Sequence, residues 1–454
     1  MDRVGRTTRV ASYTNLGNVT DQKVWLDSIS PIACGFDVYY DFFAWHGSTP
    51  YKKSPNATYD GGHVMLLVGY DDNLQCWIAR NSWGTAYGND GNFLIAYGEC
   101  NIDYYSKQDL TDVSPDPWSR RRLHNGCLIQ SSDGPEHRNF ELLRAGVPRV
   151  QHLWRDGGGA FAWHLAETLT DPNDASAGAG CIGMPALTST TYNRNFETVY
   201  WENPNRLRYW YFDQTAQKWV DMGYIGDATA IVAGYPAFIQ SNFDSPEPGD
   251  LEVVFRGPDG TLQHWTGSVG ANIDWTRNPP FAGNIQQSGP ALVQGLVGTP
   301  GHFYVVAVLN TGEMQLFWRN NDIPGNKTWT AGEIFGSGIA SSPPCMIQGN
   351  YGTASELQPG NFELCVAHNG QIQHWWRKNG NLDTQPPVVG HVTPPATSLW
   401  IQSATFGINI KHVWALIESS YGYDLEVIAE LNSGQLQHFW RDGAGWHNGL
   451  VINV

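Results

Sequence analysis

The strongest constraint on the fold is a short phrase that recurs along most of the chain. It consists of two apolar residues, a glutamine and a small residue, and four of its glutamines are evenly spaced: Gln240, Gln294, Gln348 and Gln402. An earlier copy ends at Gln130, and the interval from there to Gln240 is twice as long, which leaves room for one more unit that Pro185–Ser189 fits. Six units of about 54 residues, each with three or four short strands, are typical of a six-bladed β-propeller.

Two further residues recur inside these units. One is a glutamate, found at Glu141, Glu197, Glu252, Glu363 and Glu426. The other is a histidine about ten residues later, found at His152, His264, His374 and His438. A repeated residue in a repeated position usually serves packing, so we expect both sets to be structural, the glutamates by bonding neighbouring blades. The alternative for the histidines is contact with a ligand at the blade edges.

A third recurring phrase, of which Val150-Gln-His-Leu-Trp-Arg is one copy, contains these histidines and also tryptophans. The tryptophans are the candidate ligand-binding residues of the propeller: Trp154, Trp265, Trp318, Trp376 and Trp440. An indole ring offers an apolar face on which a sugar can stack, together with a polar edge. Core packing between blades is the alternative. The repeats loosely resemble the tryptophan-rich propeller lectins of bacteria and fungi, which implies possible glycan binding, although fold analogy alone does not establish it.

Composition excludes several classes of partner. The chain has 27 Lys and Arg against 43 Asp and Glu, a formal net charge of −16, which disfavours binding to nucleic acid. Its apolar runs, such as Val64–Val68, are far shorter than the ~20 residues that span a bilayer. The seven cysteines form no Cys-x-x-Cys pair, so we expect no metal site and no cofactor. No signal peptide is visible at the N-terminus.

The residues that carry chemistry precede the repeats. The run Gly61-Gly62-His63-Val-Met-Leu-Leu-Val-Gly-Tyr is followed by Arg-Asn81-Ser-Trp83-Gly, and then by Tyr87-Gly-Asn-Asp-Gly. These motifs resemble the second half of the papain-family cysteine peptidase domain, over about Val10 to Asp103. The resemblance implies that His63 is the general base, that Asn81 orients its ring and that Trp83 shields their hydrogen bond. Tyr87 stands where the family usually has Trp.

The third member of such a triad is missing. In the family, the nucleophilic cysteine starts a helix well over a hundred residues before the histidine, but far fewer residues precede His63 in this sequence. The one upstream cysteine, Cys34, lies on a predicted strand and lacks the family's surroundings, so we expect it to be a core residue. Either the chain is a fragment of a longer protease, or its half-domain serves another purpose than proteolysis.

The sequence therefore predicts an α+β papain-like half-domain over residues 1–108, a linker over 109–122 and an all-β six-bladed propeller over 123–454. One hypothesis is a papain-like cysteine peptidase homologue, inactive alone, whose propeller targets it to a substrate protein or a glycan. The other is a non-catalytic carbohydrate- or protein-binding propeller that carries a vestigial peptidase half. The family resemblance implies a peptide or protein substrate and a secreted or lysosomal location.

Overall fold

The computed structural model divides the chain into two compact units, Thr8–Pro115 and Asp116–Val454. It describes residues 10–453 except 29, 85–86, 114–125, 132–138, 147–148, 158–160, 171–179, 193–194, 244–248, 269–272, 296, 298–300, 340–341, 350, 352–359, 378–398, 420 and 422–423. In this described part of the chain, no helix is long and apolar enough to cross a membrane.

The first unit is built on one six-stranded sheet and one helix. The strands are β1 (Val10–Leu16), β2 (Ile32–Tyr39), β3 (Tyr59–Asp71), β4 (Cys76–Arg80), β5 (Asn92–Ala96) and β6 (Lys107–Val113), and α1 spans Val19–Ser28. Single 3-10 turns lie at Tyr40–Phe42 and Glu99–Asn101. The sheet order is β1-β6-β2-β3-β4-β5, which puts the long strand β3 between β2 and β4. Cys34, which the sequence placed on a strand, lies on β2.

Strand β6 corrects the predicted linker, which overlaps it. The strand runs to Val113 and pairs with β1 from Leu16↔Lys107 to Val10↔Val113. The buried Lys107 ammonium donates to the carbonyl of Ile102 at 2.8 Å, which anchors the start of the strand. The segment lacks hydrophobic periodicity, but its backbone pairing and one buried polar anchor hold it as a strand.

The second unit consists of six four-stranded antiparallel sheets, numbered here as blades 1 to 6 in chain order. Blade 1 contains β7 (Leu128–Gln130), β8 (Phe140–Arg144), β9 (Gln151–Arg155) and β10 (Trp163–Thr168). Blade 2 contains β11 (Cys181–Ser189), β12 (Phe196–Glu202), β13 (Arg206–Asp213) and β14 (Lys218–Tyr224). Blade 3 contains β15 (Ala237–Gln240), β16 (Leu251–Arg256), β17 (Leu262–Ser268) and β18 (Asp274–Arg277).

The last three blades repeat the same order of strands. Blade 4 contains β19 (Ala291–Gln294), β20 (Phe303–Val308), β21 (Met314–Arg319) and β22 (Thr330–Phe335). Blade 5 contains β23 (Cys345–Gln348), β24 (Phe362–His368), β25 (Gln371–Arg377) and β26 (Trp400–Phe406). Blade 6 contains β27 (Ile410–Glu418), β28 (Leu425–Leu431), β29 (Leu436–Asp442) and β30 (Gly445–Ile452).

The first strands of the six blades contact one another in sequence order, and the last of them contacts the first. Each contacts the first strand of the next blade, and β27 of blade 6 contacts β7 of blade 1. A bridge between Gly126 and Ala415 joins the last blade to the first, and the Cys127 N–H donates to the Trp414 carbonyl at 3.1 Å. Gly126 has φ of 127°, and a Cβ there would lie 2.5 Å from the Trp414 oxygen, so this closure requires glycine.

Two of the repeated glutamines connect neighbouring blades. The Gln240 side chain accepts from the Thr191 N–H of blade 2 at 2.9 Å, and Gln294 accepts from the Asn242 N–H of blade 3 at 3.1 Å. Gln402 does not belong to this set, because it lies exposed on the outer strand β26. Glu418 ends the first strand of blade 6 instead, so the equal interval between Gln348 and Gln402 is a coincidence of spacing.

The recurring glutamates and histidines pair inside a blade rather than between blades, which corrects the expectation for the glutamates. The histidine Nε2 lies 2.6–3.0 Å from a glutamate oxygen in four blades: His152–Glu141, His264–Glu252, His374–Glu363 and His438–Glu426. All eight residues are buried, as a structural role predicts. In blade 2, Tyr209 replaces the histidine and donates its hydroxyl to Glu197.

Candidate functional site

Strand alternation places His63 on the inner face of its sheet. On β3, Met65 and Leu67 are buried, whereas Val64, Leu66 and Val68 on the opposite face are exposed. His63 shares the face of Met65 and Leu67, and it pairs across the strands with the fully buried Phe36, whose ring centroid is 5.9 Å away. The imidazole is thus half-buried at the edge of the core, where its orientation can be fixed by neighbours.

Asn81 meets His63 directly after β4. The His63 Nε2 lies 2.9 Å from Asn81 Oδ1, and the same oxygen accepts the Ser82 backbone N–H at 2.8 Å. A backbone N–H can only donate, so it identifies this atom as the amide oxygen. His63 Nε2 must therefore carry the proton and donate it, which leaves the lone pair of neutral histidine on Nδ1. The arrangement presents Nδ1 as the base.

Three aromatic side chains, Phe43, Trp83 and Tyr87, pack together beside this hydrogen bond. The Trp83 ring centroid lies 5.3 Å from that of His63 with a 30° tilt, and Phe43 stacks on the indole at 5.1 Å. Tyr87 packs edge-on against Trp83 at 4.9 Å and donates its hydroxyl to the Phe42 carbonyl at 2.8 Å. Tyr87 thus packs against Trp83, and its hydrogen bond holds the 3-10 turn at Tyr40–Phe42 in place.

The turn after Asn81 depends on a glycine that the motif predicts. Gly88 has φ of 60°, and a Cβ there would lie 2.2 Å from the Asn92 carbonyl oxygen. The Asn81 N–H donates to the Gly91 carbonyl at 2.9 Å, so the same turn holds Asn81 in place.

Cys34 does not reach His63. It is paired with Met65 rather than with His63, is 1% exposed, and its thiol lies 3.7 Å from the Ile102 carbonyl. Burial raises the pKa of the Cys34 thiol to about 11, so the thiolate that a nucleophile requires is disfavoured. In the described part of the chain, no cysteine makes a hydrogen bond to His63.

The five tryptophans of the repeats fall into two sets. Trp154, Trp318, Trp376 and Trp440 lie opposite the second residue of the preceding strand, whereas Trp265 lies one position earlier and so faces the other side of its blade. Trp265 and Trp318 are buried in the core. Trp154 and Trp440 are half-buried and stack on histidines of the outer strands, His164 at 4.6 Å and His447 at 4.0 Å.

One of these tryptophans lines a cavity of appreciable size. Trp440 forms a wall of a cavity of about 300 Å³ at the junction of blades 6 and 1, together with Arg155. The sequence analysis did not single out Arg155. The signal was present, because the arginine directly follows the tryptophan in four copies of the third phrase, at Arg155, Arg319, Arg377 and Arg441.

Comparison with known proteins gives a family likeness for the first unit and a fold likeness for the second. Residues 2–108 match the family model of the papain family cysteine protease. Over 98 residues the chain is 34% identical to pro-cathepsin H of Mus musculus, which corresponds to 20% of this chain and 29% of the mouse protein. It is 38% identical over 78 residues to cathepsin B-like CP3 of Giardia intestinalis, 16% of this chain and 25% of that protein. The chain thus spans less than a third of the length of these relatives.

The second unit has the fold of a lectin propeller. A mutant of the Aleuria aurantia lectin in complex with alpha-methyl-L-fucoside superposes with a TM-score of 0.51 at 13% identity. The superposition covers 73% of this chain and 97% of the lectin. The chain therefore combines a segment similar to the papain-family peptidases with a lectin-like propeller.

Proposed function

We propose that the unit Thr8–Pro115 is the base-carrying half of a papain-like cysteine peptidase, whose nucleophilic cysteine belongs to another polypeptide segment. His63 is the base, Asn81 orients it and Trp83 shields their hydrogen bond. The single observation that carries this proposal is the 2.9 Å contact between His63 Nε2 and Asn81 Oδ1, which directs Nδ1 outward as the proton acceptor. Nδ1 takes the thiol proton, and the resulting thiolate bonds to the peptide carbonyl carbon as the C=O π bond opens to an oxyanion. Collapse of this intermediate breaks the C–N bond, and the imidazolium returns the proton to the leaving amine.

An exposed apolar face of β3 supports the proposal that a further protein segment packs against this unit. Val64, Leu66 and Val68 of β3 are 69%, 39% and 40% exposed, and they alternate with the residues that face the core. Three neighbouring apolar side chains on one strand face are unusual at a surface that contacts only water. In the proposed enzyme, this face is covered by a further protein surface, distinct from the contact that brings the cysteine to His63 on the opposite face of β3.

The first test uses the chain by itself. We expect no thiol-dependent hydrolysis of a dipeptidyl fluorogenic substrate, because loss of the nucleophile from a triad removes about 10⁶ in kcat. Mass spectrometry after treatment with a thiol-trapping epoxide should show no labelled cysteine in the native chain. Turnover that disappears on Cys34→Ala would overturn the proposal, since it would make Cys34 the nucleophile.

A second function, carbohydrate binding, is proposed for the propeller. Two observations favour it: the likeness to a lectin solved with a bound fucoside, and the cavity lined by aromatic and charged side chains at blades 6 and 1. The propeller then directs the peptidase to glycosylated proteins. Incubation of the full chain with a glycan array tests this, and we expect binding to at least one class of glycan. If no glycan on the array binds, the proposal of carbohydrate binding by the propeller is wrong.

A further inference from the structure

The turn that follows Asn81 has an unusual backbone conformation. Gly88, Asp90 and Gly91 all have positive φ, at 60°, 52° and 80°. A residue with a side chain, such as Asp90, adopts this left-handed conformation only at a cost in free energy. Contacts from outside the turn are therefore needed to keep its shape.

Arg80, the last residue of β4, supplies such contacts. Its Nη1 donates to the Asp90 carbonyl at 2.5 Å and lies 3.5 Å from Asn92 Oδ1, to which it also donates. A Cβ on Gly91 would lie 3.2 Å from the Arg80 Cζ, so the guanidinium packs against the backbone at this glycine. Hydrogen bonds from a charged donor are stronger than those between neutral groups. Arg80 thus holds the turn in its left-handed shape.

The position of Asn81 depends on the same turn. The Asn81 N–H donates to the Gly91 carbonyl at 2.9 Å, and this carbonyl directly follows the Asp90 carbonyl that Arg80 holds. Two consecutive residues at the end of β4 therefore hold two consecutive carbonyls of the turn. If the guanidinium is removed, the turn can relax, and the backbone of Asn81 moves with it.

The orientation of the Asn81 amide decides which nitrogen of His63 is the base. The amide oxygen accepts from His63 Nε2 at 2.9 Å and from the Ser82 N–H at 2.8 Å. The buried Nδ2 has no hydrogen-bond partner among the described residues, so the amide is oriented through its oxygen. If its nitrogen and oxygen exchanged places, Nδ2 would donate to Nε2 and the ring proton would move to Nδ1. Nδ1 would then be unable to take the thiol proton.

We propose that Arg80 is a positioning residue for the base, a role that rests on the proposed peptidase function. Arg80 holds the turn, and the turn holds the peptide groups of Asn81 and Ser82. The Ser82 N–H selects the orientation of the amide, because it can donate to the oxygen but not to Nδ2. His63 consequently keeps its proton on Nε2 and presents Nδ1 to the thiol.

Nitrogen NMR of His63 tests this role without any catalysis. Arg80 is exposed, so its replacement leaves the core intact. In the full chain with isotope-labelled histidine, the signals lost in His63→Ala identify the ring, and imidazole is neutral at about pH 9. The native chain should hold His63 in one tautomer, protonated on Nε2. Arg80→Ala should give a mixture of tautomers, as should Asn81→Ala, whereas Arg80→Lys keeps a charged donor and should restore most of the native form.

Lys23→Ala is the matched control. Lys23 is another cation of this unit, and its contacts are with Asp72, Tyr70 and Tyr97. We expect this variant to keep the native tautomer. When the cysteine-bearing half is supplied, Arg80→Ala should lower kcat about tenfold with little change in KM, because the base is misoriented while substrate binding is retained. Lys23→Ala should leave both constants unchanged.

The two readouts separate this inference from the proposed function. If Arg80→Ala keeps His63 in one tautomer, or if Lys23→Ala disturbs the tautomer equally, the positioning role of Arg80 is wrong. If native His63 carries its proton on Nδ1, the proposed base is wrong as well. If the native chain stays inactive with the cysteine-bearing half but the tautomer responds to Arg80→Ala, the peptidase function falls and the control of His63 by Arg80 stands.

Discussion

Replacement of His63 by alanine is expected to abolish peptide hydrolysis once the cysteine-bearing half is supplied. In triads of this type, loss of the base costs about as much as loss of the nucleophile, on the order of 10⁶ in kcat. Asn81→Ala removes the acceptor that fixes the ring and its tautomer at 2.9 Å, so it should cost less but still a large factor, about 10⁴ by analogy with the orienting aspartate of serine proteases. The measurement is kcat with a dipeptidyl substrate.

His46→Ala is the matched control for these two variants. His46 lies in the same unit and also contacts Tyr87, at a ring distance of 6.0 Å, but it is exposed and makes no contact with Asn81. We expect it to retain full activity. A loss on His46→Ala comparable with that on His63→Ala would point to general damage of the unit and would remove the special role of His63.

The second large effect concerns stability and involves the buried histidines of the propeller. His264 is completely buried and donates to Glu252 at 2.7 Å, and Thr266 and Ser241 donate to the same carboxylate at 2.8 and 2.9 Å. Burial opposes ionisation of Glu252 most strongly, but the interactions with His264, the positive charge of Arg319 and the hydrogen bond from Thr266 together outweigh it and hold the carboxyl pKa below its usual range. His264→Ala should lower the free energy of unfolding by about 3–5 kcal/mol, because it removes a partner from a buried charge.

The control is His447→Ala, which alters a histidine–carboxylate pair that is half-exposed. His447 lies 2.9 Å from Asp442, but their side chains are 37% and 34% exposed, so water can replace the lost partner in His447→Ala. Denaturant titration should therefore show little change for this variant. A double variant, Glu252→Gln with His264→Ala, should recover part of the loss, since it removes the buried charge. An unchanged unfolding midpoint in His264→Ala would contradict the structural role of the pair.

The contact between His63 and Asn81 could be predicted from the sequence because it lies in short, continuous motifs. His63 and Asn81 are only 18 residues apart and lie on or directly after adjacent strands, so two phrases suffice to bring them together. The six blades were likewise predictable, because each blade is a continuous stretch of chain and most blades carry their own copy of the repeated phrases.

Some features of the propeller differ from the sequence-based expectations or were missed by them, for physical reasons that the spacing of motifs does not reveal. Trp265 matched the other tryptophans in sequence, but one missing residue moves its side chain to the other face of the strand. The segment between Arg377 and Trp400 is long, so the first strand of blade 6 begins later in the chain than the regular interval predicts. Gln402 falls at the regular interval by coincidence and lies on the last strand of blade 5. The cavity at the junction of blades 6 and 1 unites Arg155 and His438, which are 283 residues apart, and no local pattern encodes such a contact.

The central claim is that His63 and Asn81 form a competent base that lacks only its nucleophile. Its most direct test is to mix the full chain with the separately produced cysteine-bearing half of mouse pro-cathepsin H, a relative 34% identical over the matched region. We predict thiol-dependent hydrolysis in the mixture, none in either component, and none in the mixture that carries His63→Ala. Hydrolysis by the mixture that persists with His63→Ala, or by the chain alone until Cys34 is replaced, would contradict the account.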